Sequence, residues 1–163
     1  MTKIGIVSDT HNFYDNRLFN FLDKCDQIWH AGDIGNLETA EQFAAIKPFK
    51  AVFGNIDGTD VRSTYPENLK FNCENVNVFI THIGGYPGKY SKNAFAQLIN
   101  NPPDLFICGH SHILKVIYDT KLNFLCINPG AAGKYGFHTL QTAIRFDIDG
   151  RNIMNLEIIE LPK

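Results

Sequence analysis

KIGIVSDTH, residues 3–11, is a short apolar run that stops at Asp9, with His11 two positions on. Four more runs break off in the same way: QIWHAG before Asp33, KAVFG before Asn55, NVFIT before His82, and LFICG before His110, Ser111 and His112. Runs of this length, rich in Val, Ile and Phe, suit strands buried on both faces of a sheet. In an open α/β sheet, ligands bind in the crevice outside the carboxyl ends of the strands. Residues far apart in the chain are therefore expected to meet in one small volume. They supply four imidazoles, two carboxylates and one amide oxygen, a set for two metal ions.

Composition narrows the classes. A chain of 163 residues fits one domain, 1–163, with room for a substantial core. Its 44% apolar and 20% charged content is ordinary for a soluble globular protein. A net charge of −2 without a Lys/Arg cluster argues against an extended nucleic-acid surface. Strand pattern begins at Lys3, which leaves no space for a signal segment, and no apolar run reaches the roughly 20 residues that cross a bilayer. No membrane association and a cytoplasmic location are the expectation. Cys25, Cys73, Cys108 and Cys126 contain no C-x-x-C pair and read as reduced thiols rather than a disulfide framework or a thiolate zinc site.

Strand signals recur at 3–8, 27–31, 49–53, 69–73, 76–81, 104–108, 113–118, 122–127, 139–147 and 151–160. Helical stretches are expected at 15–25, 37–46 and 91–100, the last capped by Ser91 and ended by Pro102 and Pro103. Alternation of strand and helix in the first part predicts parallel pairing with crossover helices. After Pro103 strand follows strand, with a hairpin turn at Asp149-Gly150 and another at Glu74-Asn75. Two mixed sheets face to face, covered by helices, are the expected architecture.

Each motif has a dull explanation of its own. Asp9 could be a turn former or helix cap, and Gly32-Asp33 and Gly54-Asn55 are common turn dipeptides. A lone His82 at a strand end is ordinarily a boundary residue. Gly109-His110-Ser111-His112 is more specific, because two imidazoles one residue apart follow a Gly that permits close backbone approach. Five accidents at the same end of successive strands are harder to accept than one site. Nitrogen and oxygen donors without thiolate favour Mn²⁺, Fe²⁺, Zn²⁺, Co²⁺ or Ni²⁺ over Ca²⁺. His30 is read as a packing residue on the face opposite Trp29.

The ordered set Asp-x-His, Gly-Asp, Gly-Asn, His and Gly-His-x-His resembles the calcineurin-like metallophosphoesterases. HAGDIG, VFGNIDG, THIGG, CGHSHI and INPGAAG are similar to the small YfcE-type phosphodiesterase branch. The resemblance implies a four-layer α/β/β/α sandwich with a dinuclear centre at its edge. It implies that Asp9, His11 and His112 hold one ion and that Asn55, His82 and His110 hold the other, with Asp33 between them. Two divalent transition-metal ions, Mn²⁺ favoured, roughly 3.5–4 Å apart would activate a bridging hydroxide to attack a small phosphodiester, with Asn55 assisting. Lys134 is a candidate substrate contact. Many relatives carry His after the Gly-Asn, where this chain has Ile56, which cannot transfer a proton. The rival classes are a non-catalytic scaffold on the same fold and a nuclease or nucleotide phosphoesterase. A homo-oligomer stays open.

Overall fold

The computed structural model describes every residue from Met1 to Lys163. The chain opens as strand and helix in turn: β1 (Thr2–Val7), α1 (Asn16–Leu22), β2 (Gln27–His30), α2 (Leu37–Ile46), β3 (Phe49–Ala51) and α3 (Thr59–Thr64). It continues through β4 (Asn68–Cys73), β5 (Val76–Thr81), α4 (Lys92–Asn100), β6 (Leu105–Ile107), β7 (Lys115–Asp119), β8 (Phe124–Asn128), β9 (Leu140–Asp149) and β10 (Asn152–Pro162). One sheet has the order β10-β9-β1-β2-β3 and the other β4-β5-β6-β8-β7. Strands β1, β2 and β3 run parallel, as their crossover helices require. The expected hairpins at Glu74-Asn75 and Asp149-Gly150 join β4 to β5 and β9 to β10.

Side chains alternate across each strand, so every strand feeds two layers. Ile4, Ile6 and Trp29 point between the sheets, where they meet Val78, Ile80, Leu105 and Ile107 of the other sheet. Trp29 is fully buried, and its ring lies edge-on to Phe71 of the opposite sheet with centroids 4.9 Å apart. Val7 and Ile28 point the other way and are covered by Leu18 and Leu22 of α1 and Phe43 of α2. On the far side, Ala94 and Leu98 of α4 cover Phe79 and Phe106. Helices, sheet, sheet and helix make the four layers expected from the sequence. No helix is long and apolar enough to cross a membrane, and all four cysteines are buried and free.

Helix boundaries follow local capping. Asp15 accepts from the Leu18 amide at 2.9 Å and starts α1. The helix ends at Leu22, short of the expected Cys25, because the chain there is drawn onto β1: the Asp26 amide donates to Lys3 O at 2.7 Å, and Asp26 Oδ2 accepts from the Lys3 amide at 2.8 Å. The six-residue α3 was not expected. Only Val61 of its residues is buried, so TDVRST shows no apolar stripe for a sequence reading to detect.

Candidate metal centre

Every residue singled out as a ligand type lies just beyond a strand's carboxyl end: Asp9 and His11 after β1, Asp33 after β2, Asn55 after β3, His82 after β5, and His110 and His112 after β6. Parallel strands point these ends the same way, so the loops share one rim. Asp9, His11 and His112 form one group of donor atoms within 4.8 Å of one another, and Asp33, His82 and His110 form a second. Asp33 Oδ2 lies 3.5 Å from His11 Nε2 of the first group and 3.3 Å from His82 Nε2 of the second. Asp9 Oδ1 is 3.2 Å from His112 Nε2 and 3.8 Å from His82 Nε2. Asn55 Oδ1 lies 3.0 Å from His110 Nδ1 and adds an amide oxygen to the second group.

The backbone is forced to make this rim. Asp9, His11, Asp33, His110 and His112 all have φ between 46° and 71°, the left-handed region that side chains other than Gly rarely adopt. Each such residue costs on the order of 1–3 kcal/mol, which local turn preference does not supply for histidine. Strain concentrated on the ligand-type residues is the mark of a site whose geometry is held by the rest of the fold. Gly109 shows how tight it is. Its amide donates to His82 O at 2.9 Å, and an added Cβ would collide with Ser8 Oγ and sit 2.8 Å from Asp9 Oδ2.

The donor atoms fit bound cations. Asp9 Oδ1, His11 Nε2 and His82 Nε2 are buried without any hydrogen-bond partner. A native fold seldom leaves such atoms unpaired, and here three of them face one another. His82 Nδ1–H donates to Ala31 O at 2.7 Å, which turns Nε2 with its lone pair inward, as a metal-bound imidazole requires. Burial pushes the Asp9 carboxyl up, but the His11, His112 and His82 imidazoles crowded against it and the Ser8 hydroxyl outweigh this and hold the group well below the ordinary range. Burial likewise opposes Asp33 ionisation, and the neighbouring His82 imidazole and the Ile56 amide outweigh it and hold the carboxyl below the ordinary range. Burial would lower His82, yet Asp33 and Asp9 raise it. Divalent cations held between these donors would supply the positive charge that two buried carboxylates call for.

Several supporting residues carry no sequence signal. Asp57 accepts from Gly54 N at 2.7 Å, Gly35 N at 2.8 Å and Ile34 N at 3.2 Å, so one buried carboxylate ties the Asp33 loop to the Asn55 loop. Asn128 Nδ2 donates to Gly109 O at 2.9 Å and to Ser111 Oγ at 3.1 Å, which steadies the two-histidine loop. In the sequence neither Asp57 nor Asn128 is marked as a ligand type, and nothing along the chain shows what either one binds. Tyr135 places its ring 5.0 Å from that of His11, and His138 lies 5.1 Å from His112. Lys134 extends its ammonium over Phe13 at 4.7 Å from the ring centre.

His30 packs on the helix side against Phe43 and Phe49, opposite Trp29, as expected. Its Nδ1 accepts from Gly32 N at 3.1 Å, so Nε2 carries the proton and donates to Thr10 Oγ1 at 2.9 Å; Thr10 in turn donates to Ile34 O. This neutral chain links the loops after β1 and β2. Burial pushes the His30 pKa down to about 3, against an unfolded value near 6.5. Below pH 6.5 the unfolded chain therefore binds a proton that the folded chain refuses, and stability falls as pH drops toward 3. The expected loss is about 1.4 kcal/mol per pH unit, near 2 kcal/mol at pH 5. Urea unfolding at pH 7 and pH 5 should show a shallower pH dependence in His30→Gln than in the unmodified protein. An equal slope in both would remove His30 as its source.

A family model of the calcineurin-like phosphoesterase superfamily domain matches residues 2–151. The chain belongs to that superfamily. Metal-dependent hydrolysis of phosphate esters is the coarse function this membership assigns. The chain is 29% identical over 152 residues to phosphodiesterase MJ0936 of Methanocaldococcus jannaschii, covering 82% of this chain and 86% of the relative. A solved archaeal phosphodiesterase superposes with a TM-score of 0.78 at 22% identity, covering 98% of this chain and 99% of that one. Vps29 of Chaetomium thermophilum superposes with a TM-score of 0.77 at 14% identity over the whole of both chains. These two structural likenesses are to the fold.

Proposed function

We propose that the protein is a phosphodiesterase acting through two divalent transition-metal ions, with Mn²⁺ favoured by the nitrogen and oxygen donor set. The observation that carries the reading is Asp33 Oδ2, placed between two donor groups whose buried atoms Asp9 Oδ1, His11 Nε2 and His82 Nε2 have no other partner. Asp9, His11 and His112 would hold one ion, Asn55, His82 and His110 the other, and Asp33 both. Two bound cations supply Lewis-acid charge for the phosphoryl oxygens and acidify water so that it can attack at neutral pH.

The chain's own residues do the positioning. Asp33 Oδ1 accepts from the Ile56 amide at 3.1 Å, which fixes the carboxylate so that Oδ2 faces both groups. Asn55 is exposed, and its amide N–H₂ is free to donate to a substrate oxygen while Oδ1 faces His110. Ile56 contributes only its backbone N–H and cannot protonate a leaving alcohol, so esters with acidic leaving groups should react best. Lys134 is proposed to reach a substrate oxygen from its place over Phe13. The scaffold alternative rests on a likeness of fold, whereas the full set of ligand-type residues favours catalysis.

The test is hydrolysis of bis(p-nitrophenyl) phosphate and of p-nitrophenyl phosphate by chelator-stripped protein, then with Mn²⁺, Ni²⁺, Fe²⁺, Zn²⁺ and Co²⁺ in turn. Stripped protein should be nearly inactive, and Mn²⁺ should restore diester turnover by at least roughly 10²-fold. Turnover of neither ester with any ion would defeat the proposal. Monoester preference would leave a phosphoesterase but not a phosphodiesterase.

A further inference from the structure

Asn55 and His82 of the ligand cluster also line a groove of about 560 Å³, which is bordered by Arg62 of α3 and by α4. Asp9, His11 and His112 do not line it. Its volume lies in the range of small-molecule sites, roughly 300–1,000 Å³, but its chemistry is not that of an apolar pocket. Only four of its fifteen lining residues are apolar. Arg62, Glu67 and Asn68 line it along with Lys92, Asn93 and Gln97 of α4.

Part of this lining is rigid. Arg62 Nη2 donates to Asn55 O at 3.2 Å, and the guanidinium lies over the Phe53 ring at 4.6 Å from its centre. The same arginine therefore borders the groove and steadies the loop that carries Asn55. Besides Asn55, the side-chain amides of Asn68, Asn93 and Gln97, each both donor and acceptor, match hydroxyl groups, which are also both. An alkyl or aryl group in this open groove would gain no partner from those amides, whereas a hydroxyl would.

We propose that this groove receives one alcohol arm of the phosphodiester and selects an arm bearing several hydroxyl groups, such as a glyceryl or glycosyl unit. The inference rests on the phosphodiesterase reading and adds the class of substrate. Glyceryl p-nitrophenyl phosphate and propyl p-nitrophenyl phosphate share a leaving group and chain length and differ by two hydroxyls. A kcat/KM preference that depends on the groove is lost when the groove is filled, whereas one due to intramolecular attack by the glyceryl 2-hydroxyl persists. The metal-loaded protein should prefer the glyceryl ester at least roughly ten-fold. Ala96→Trp, on the exposed side of α4 facing the groove, should bring the ratio close to one without lowering Tm. Gln97→Leu should lower it partway.

Binding gives a second readout. Glycerol phosphate should shift the side-chain amide NMR signals of Asn68, Asn93 and Gln97 in the unmodified protein but not in Ala96→Trp. Equal turnover of the two esters, or a ratio that survives Ala96→Trp, overturns the inference while leaving the phosphodiesterase intact. Absence of turnover on both esters with every ion sinks the phosphodiesterase reading, and the groove assignment with it.

Discussion

Asp33→Ala is expected to reduce diester hydrolysis by on the order of 10³-fold, near the limit set by losing a preorganised charge in a catalytic site. Its Oδ2 stands 3.5 Å from His11 Nε2 and 3.3 Å from His82 Nε2, so one truncation opens both donor groups. The metal content should fall from two ions per chain to one or none. Alanine also replaces a residue at φ 55°, which adds backbone strain. Asp33→Asn is therefore the companion variant, because asparagine tolerates that conformation and removes only the charge. Activity should fall steeply in both, with the fold retained in Asp33→Asn. Unchanged turnover and two bound ions in a clean Asp33→Ala preparation would falsify the dinuclear assignment.

Gly109→Ala should do damage through a single methyl group. The left-handed region is not at issue at this position; close approach is. The methyl would enter the space of Ser8 Oγ, which donates to Asp9 Oδ2 at 2.7 Å, and would press on a carboxylate that also accepts from the His110 amide at 3.0 Å. Overpacking of this kind costs about 1–3 kcal/mol. Relief requires that Asp9 or the His110–His112 loop move, and a displacement near 1 Å in a catalytic constellation costs on the order of 10²-fold in rate. The variant should therefore lose stability in urea unfolding and lose diester activity even at saturating Mn²⁺. A variant with unaltered midpoint and unaltered kcat would show that the loop accommodates the methyl without moving its donors.

The structure bears out the strand positions and the two mixed sheets of the sequence reading, because that reading rested on residues whose faces are dictated by period. Ile4 and Ile6 share one face of a strand and Val7 the other, whatever lies across from them. The loss of one turn from α1 shows where this logic stops. Helix propensity continued to Cys25, but the pairing of Asp26 with Lys3 on β1 was worth more than the extra turn. α3 escaped notice because Val61 alone is buried in it.

For the site, the types of the donors were legible and their support was not. Asp9, His11, Asp33, Asn55, His82, His110 and His112 could be named because each stands at the end of one of five apolar runs or two residues beyond it, and strand direction then brings them to one rim. Asp57 and Asn128 carried no signal, since a carboxylate that binds three backbone amides from two distant loops is defined only once those loops are adjacent. The groove beyond Asn55 is likewise invisible in one dimension, because α3 and α4 border it together only after folding.

Sequence by itself thus determined the two-sheet architecture and the chemical identity of the donors, because periodicity and strand polarity are local properties of the chain. Tertiary structure alone decided that Asp33 stands between two donor groups, that five of those residues are held at positive φ, and that a polar groove opens beside them. Those features depend on distances between segments far apart in the chain, which only the packing of the two sheets and their covering helices sets.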